Sequence, residues 1–130
     1  MGERTVRTGL EAGCSALTWH TGDGKHLWGR NYDFDRLAEG SGVFFFPRGT
    51  AYRTAAGPAG AAETARYACL GVGLPLDPAP ALYEGVNEKG LMGGQLYYRE
   101  LARYGGPARP GAAAVQPPLL VYRLLARCAT

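Results

Sequence analysis

The chain has 130 residues, a formal net charge of +3 and 46% hydrophobic residues, which suits one globular domain and excludes a disordered chain. Its basic residues are dispersed with no stripe for nucleic acid, and no apolar run reaches the roughly 18 residues of a membrane span. Three cysteines, at 14, 69 and 128, form no CxxC pair; this disfavours a disulfide framework or a zinc site and fits a reducing, cytoplasmic setting.

Met1 to Gly13 carries Glu3, Arg4, Arg7 and Glu11 and no apolar core, so it is not a secretory signal. Cys14 to Thr21 has the composition of a strand. Gly22-Asp23-Gly24-Lys25 is a hairpin turn signal, and His26 to Phe34 is its return strand. Gly42 to Pro47, with three consecutive phenylalanines, is too short for a helix and reads as a buried strand. Arg48-Gly49-Thr50 turns the chain, and Ala51 to Thr54 is placed to pair back. Ala55 to Glu63 is Ala/Gly-rich and reads as a surface loop. Ala65 to Val72 is a further strand. Leu74 to Ala81 holds three prolines and cannot be regular.

Leu82 to Val86 reads as a strand, Asn87-Glu88-Lys89-Gly90 as a second turn, and Leu91 to Tyr98 as the return. Gly105 to Pro118 is a Gly/Pro/Ala loop. Leu119 to Ala129 places Leu119, Leu120, Tyr122, Leu124, Leu125 and Cys128 at helical spacing, with Pro117 and Pro118 at the start. No Gly or Asn cap follows, so the chain is expected to end inside this helix. Hairpins followed by one helix predict an α+β layered fold, with one apolar sheet face left uncovered.

Three constellations bear on chemistry. Cys14 follows a glycine; cleavage of the Gly13–Cys14 bond would give it a free α-amine with a pKa of roughly 7.7 to 8.0. Such an amine can take the thiol proton and later protonate a leaving amine, so nucleophile and base share one residue. The plain alternative is an inert strand cysteine. Arg30 and Asp33 lie on the return strand, where the hairpin brings residues near 31 to 33 opposite residues near 14 to 16. There a carboxylate can hold the amine and a guanidinium can favour the thiolate; the plain alternative is a surface pair worth under about 1 kcal/mol. Tyr97 is either a packed strand aromatic or a hydroxyl aimed at a site. Asn87 and Gly90 read as turn formers, Glu88 and Lys89 as exposed turn charges. His20 and His26 flank the first turn and have no evident carboxylate partners for a metal.

Three segments resemble the choloylglycine hydrolases, the family of penicillin V acylases and conjugated bile acid hydrolases. They are Cys14 to Leu17 with Thr21 to Asp33, Tyr67 to Gly73, and Glu84 to Leu91. The resemblance implies an αββα sandwich of the N-terminal-nucleophile type, of which this chain supplies an incomplete N-terminal portion. It implies hydrolysis of a linear carbon–nitrogen amide bond in a small N-acyl substrate, with no cofactor or metal. Cys14 matches the nucleophile, Arg30 and Asp33 the pair that orients and activates it. Tyr97 falls at an oxyanion-hole position that carries Asn or Tyr, the Tyr form being similar to penicillin V acylases.

The resemblance also implies chains more than twice this long, often tetrameric, with a second oxyanion Asn and a further Arg in the part not seen here. Residues 1–13 are then a short pro-segment or an early start, residues 14–130 a truncated hydrolase domain, and the chain alone is expected to be inactive. Two rival readings are a non-catalytic remnant or binding module that keeps the fold, and a thiol-redox or metal protein.

Overall fold

The computed structural model describes residues 12–34, 39–76, 79–97, 103, 105 and 112–130. The expected pro-segment up to residue 11, the strand end at Tyr98 and most of the expected loop from Gly105 onward lie outside the described residues.

Among the described residues eight strands precede one α-helix. β1 (Ala12–His20) and β2 (His26–Phe34) form an antiparallel ribbon. β3 (Gly42–Phe46), β6 (Cys69–Leu74), β7 (Ala81–Asn87) and β8 (Met92–Gly94) form a four-stranded antiparallel sheet in that order. β4 (Ala51–Arg53) pairs with β5 (Ala62–Thr64). A 3-10 turn at Pro117–Leu119 leads into α1 (Leu120–Arg127). The architecture is α+β, as expected. No described helix is long and apolar enough to cross a membrane.

The core lies between α1 and one face of the four-stranded sheet. Leu82, Leu119, Val121, Tyr122 and Leu125 are all at most 5% exposed. The Tyr122 ring meets those of Phe46 and Tyr52, each at 4.9 Å between centroids. Helix and sheet approach closely because β7 carries Gly85. A β-carbon there would lie 2.6 Å from the Leu70 carbonyl oxygen and 2.8 Å from Leu125 Cδ1, so a side chain would collide with the β6 backbone and crowd α1.

The other sheet face is bare over much of its area. Val43 is 70% exposed and Phe45 65% exposed. The buried-strand reading of residues 42–47 is therefore corrected: β3 alternates between partly buried and exposed positions because only one of its faces meets an element. The ribbon reaches this side of the sheet through Trp28, whose ring occupies the space beside Gly94.

Other expectations shift. Residues 51–54 pair forward, with Ala62–Thr64, so part of the expected loop at 55–63 is strand. The strand foreseen at 65–72 lies at Cys69–Leu74. The return strand from Leu91 is only three residues long. Leu120 and Leu124, placed on the apolar helix face from spacing, are nearly half exposed, whereas Val121 and Ala126 are buried. Residues 119, 122, 125 and 126 look at the sheet, and nothing described covers the flank with 120 and 124.

The helix stops at Arg127, and Cys128 is extended. Its terminal carbonyls are met by distant groups in place of a local cap. Asn87 Nδ2 donates to the Leu125 and Cys128 carbonyls at 2.9 and 2.7 Å. The Arg66 and Tyr67 amides donate to the Ala126 carbonyl at 2.8 and 3.1 Å. These bonds satisfy groups that a helix end otherwise leaves orphaned.

Candidate active site

The first turn fixes the register of the ribbon. The Thr21 amide donates to the Lys25 carbonyl and the Thr21 carbonyl accepts the Gly24 amide, Thr21 Oγ1 donates to the Asp23 carboxylate and accepts the Lys25 amide, and Gly24 takes φ 81°. From this turn Cys14 pairs with Tyr32, Ser15 with Asn31, Ala16 with Arg30 and Gly13 with Asp33. Residues 14–16 thus face 30–32, one residue earlier than the expected 31–33. β1 begins before Cys14, however, because Asp33 and Phe34 extend β2 far enough to pair with Gly13 and Ala12. Cys14 is the third residue of its strand and its nitrogen is a peptide amide.

Side chains of directly opposed residues share a face of the ribbon. Cys14, Tyr32, Ala16 and Arg30 therefore lie on one face, and Arg30 is the diagonal neighbour of Cys14, within reach of a long side chain. Ala16, opposite Arg30, is too small to block it. Arg30 Nη2 donates to Cys14 Sγ at 3.0 Å. Its Nη1 donates to the Tyr83 carbonyl on β7 at 2.9 Å, and its Cζ stands 4.9 Å from the centre of the Tyr32 ring. Asp33 belongs to the opposite parity, across from Gly13, and is exposed. Tyr97 lies past β8 and is 43% exposed.

Four residues without an assigned role complete the surroundings of Arg30. Tyr32 and Tyr83 stack at 4.2 Å. Burial, then a bond with the Tyr83 hydroxyl, pushes the Tyr32 phenol well above its ordinary range, so it serves as a neutral hydrogen-bonding group. The Ser41 hydroxyl donates to the Tyr83 hydroxyl at 3.2 Å. Glu84 Oε2 stands 3.5 Å from Arg30 Nε; the Arg30 side chain is 2% exposed and that of Glu84 29%. Burial pushes the Glu84 carboxyl up, with Arg30 opposing it. Beside Glu84 opens an apolar cleft of about 320 Å³ under Trp28, lined by Val43, Leu70, Val86 and Met92. The Glu84-Gly85 pair inside an apolar strand was the signal available in sequence, since a carboxylate there must find a cation.

The other expected features resolve as follows. Cys69 is buried and its thiol is pushed up to about 11; all three cysteines are free thiols. No group of three or more His, Cys, Asp and Glu side chains among the described residues is arranged to hold a metal. Glu88 is more than an exposed turn charge: it pairs with Arg48 and accepts the Ala68 amide at 2.8 Å. His20 and His26 face each other across the ribbon end at 4.0 Å.

Comparison with known proteins agrees with this geometry. A family model described as linear amide C-N hydrolases, choloylglycine hydrolase family, matches residues 14–130. A bile salt hydrolase/transferase of Clostridium perfringens is 37% identical over 78 residues, covering 60% of this chain and 23% of the relative. Two crystal structures, of a mutant and of a variant of the conjugated bile acid hydrolase from Clostridium perfringens, superpose with TM-scores of 0.70 and 0.65 at 27% and 26% identity. They cover 91% and 85% of this chain and 35% and 33% of theirs. The chain thus spans about a quarter to a third of the length of these relatives. With residues 14–130 matched and the fold reproduced, the chain belongs to the choloylglycine hydrolase family of linear amide C-N hydrolases.

Proposed function

We propose that Cys14 is the nucleophile of an N-terminal cysteine amidohydrolase acting on a small N-acyl amide. The observation that carries this is the 3.0 Å bond from Arg30 Nη2 to Cys14 Sγ. A buried guanidinium on the sulfur favours the thiolate, the form that attacks a carbonyl. The reading requires release of Met1 to Gly13, because an amide nitrogen has no lone pair to serve as base.

Once freed, the Cys14 α-amine takes the thiol proton. The thiolate adds to the amide carbonyl, forming the C–S bond and an oxyanion. Tyr97 is assigned to donate to that oxyanion, together with a donor outside residues 1–130; such donors account for several kcal/mol of barrier in enzymes generally. The ammonium returns its proton to the leaving amine as the C–N bond breaks. Water then attacks the thioester, the acid departs and the thiol is restored. Asp33, opposite Gly13 on the ribbon, is assigned to hold the ammonium after scission. Residues 1–130 alone are proposed to be inactive.

The test uses residues 1–130 with whatever sequence continues them in frame. Intact mass is expected to show loss of Met1 to Gly13, and the processed protein to hydrolyse conjugated bile salts or penicillin V. Cys14→Ser is expected to abolish turnover of either substrate at least 100-fold. An unprocessed chain that hydrolyses amides as fast as any processed form would overturn the mechanism.

A further inference from the structure

We infer that Glu84 is a positioning residue acting through Arg30: it supplies the counter-charge of that guanidinium and so limits how strongly Arg30 stabilises the Cys14 thiolate. The inference rests on the reading of Cys14 and Arg30 above.

Arg30 carries a fixed positive charge on a side chain that is 2% exposed. Withdrawing such a charge from water is expensive unless an anion lies close. Two of its three donor atoms are committed, Nη1 to the Tyr83 carbonyl and Nη2 to Cys14 Sγ. Neither acceptor is an anion while the thiol is protonated. The third donor atom, Nε, points at Glu84 Oε2 across 3.5 Å, and neither atom has a hydrogen-bond partner among the described residues. The pair is close enough to attract and too long to be a normal hydrogen bond. Glu84 therefore supplies the counter-charge of Arg30 in the resting site.

The geometry places two acidic groups on one cation. When Cys14 ionises, giving its proton to the α-amine or to solvent, thiolate and carboxylate share Arg30. The charged and titratable groups facing Cys14 are Arg30 and Tyr32 from β2 and, through Arg30, Tyr83 and Glu84 from β7. Among these Glu84 is the permanent competitor for the guanidinium. An ionised Glu84 shares the guanidinium with Cys14 Sγ, and a neutral isostere leaves that charge to the sulfur alone. The sequence neighbour Gly85 packs tightly between β6 and α1, with no room for a β-carbon, so Glu84 sits on a closely packed strand.

The test is the pH dependence of Cys14 alkylation by iodoacetamide, followed by peptide mass in a Cys128→Ser background, in the chain with its in-frame continuation. Glu84→Gln keeps the shape and removes the charge. Its alkylation midpoint is expected to fall by roughly half a pH unit or more, about a threefold gain in thiolate at a fixed pH below the midpoint. Glu84→Asp keeps the charge but retracts it, and its midpoint is expected between those of wild type and Glu84→Gln. It also serves if Glu84→Gln does not fold. A purely structural Glu84 would change the melting temperature and leave both midpoints at the wild-type value; that result, or an upward shift, overturns the inference. Arg30→Gln separates this from the underlying reading. It is expected to raise the midpoint; if it does not, Arg30 does not activate Cys14 and the proposed function loses its support. If Arg30→Gln moves the midpoint and the folded Glu84 variants do not, only the role of Glu84 fails.

Discussion

Two tight turns, Thr21 to Lys25 and Asn87 to Leu91, have the same backbone hydrogen bonds and different environments. At the first, Thr21 donates to the Lys25 carbonyl, Gly24 donates to the Thr21 carbonyl with φ 81°, and Thr21 Oγ1 accepts the Lys25 amide. At the second, Asn87 donates to the Leu91 carbonyl, Gly90 donates to the Asn87 carbonyl with φ 87°, and Asn87 Oδ1 accepts the Leu91 amide. Thr21 and Asn87 thus hold equivalent positions. The first turn is closed by exposed local groups, including a Lys25–Asp23 ion pair. Asn87 is 4% exposed and also ties down the end of α1. Equal turn geometry therefore does not mean equal weight: one turn sets only the register of the ribbon, the other joins sheet to helix.

Substitution at the two equivalent positions gives the widest contrast. Asn87→Ala is expected to cost about 2–4 kcal/mol in urea unfolding, because it strands buried turn amides and helix carbonyls together. Thr21→Ala, in water-accessible surroundings, should cost under about 1 kcal/mol. Equal losses would mean that the helix bonds of Asn87 contribute nothing. The glycines provide the matched control. Gly24→Ala and Gly90→Ala force the same left-handed backbone on a β-carbon and should each cost roughly 1–2 kcal/mol. A large difference between those two would move the contrast from the side chains to the backbone.

The smallest effect is electrostatic. Arg48, then the Ala68 amide, lower the Glu88 carboxyl from 4.5 to about 2. A carboxyl depressed on folding stabilises above its unfolded pKa and loses that stabilisation as pH falls through its folded value. Acid titration of thermal stability should therefore show Glu88→Gln destabilised relative to wild type near neutral pH, with the gap closing between about pH 4.5 and 2. A gap that persists to pH 2 would show that Glu88 acts through packing.

Much of the candidate site was legible before any coordinates. A turn of the Gly-Asp-Gly type sets where the ribbon reverses, strand parity then dictates which side chains share a face, and so Cys14 meets Arg30. These are short-range consequences of backbone preference and a two-residue period. The hairpin and the resemblance both put Asp33 near Cys14, whereas parity puts it across from Gly13 on the other face.

What local reasoning could not supply are partners far apart in the chain. Glu84 reaches Arg30 only because β7 runs beneath the ribbon. The helix ends without a capping residue of its own because Asn87, Arg66 and Tyr67 satisfy its carbonyls. Leu120 and Leu124 fit the apolar period and remain half exposed because burial depends on which neighbour arrives. The amino-acid order alone determined where the chain turns and which residues share a strand face, through φ preferences and steric alternation that act over a few residues. Which charges become desolvated, and which helix flank is covered, was decided only when sheet, ribbon and helix packed together.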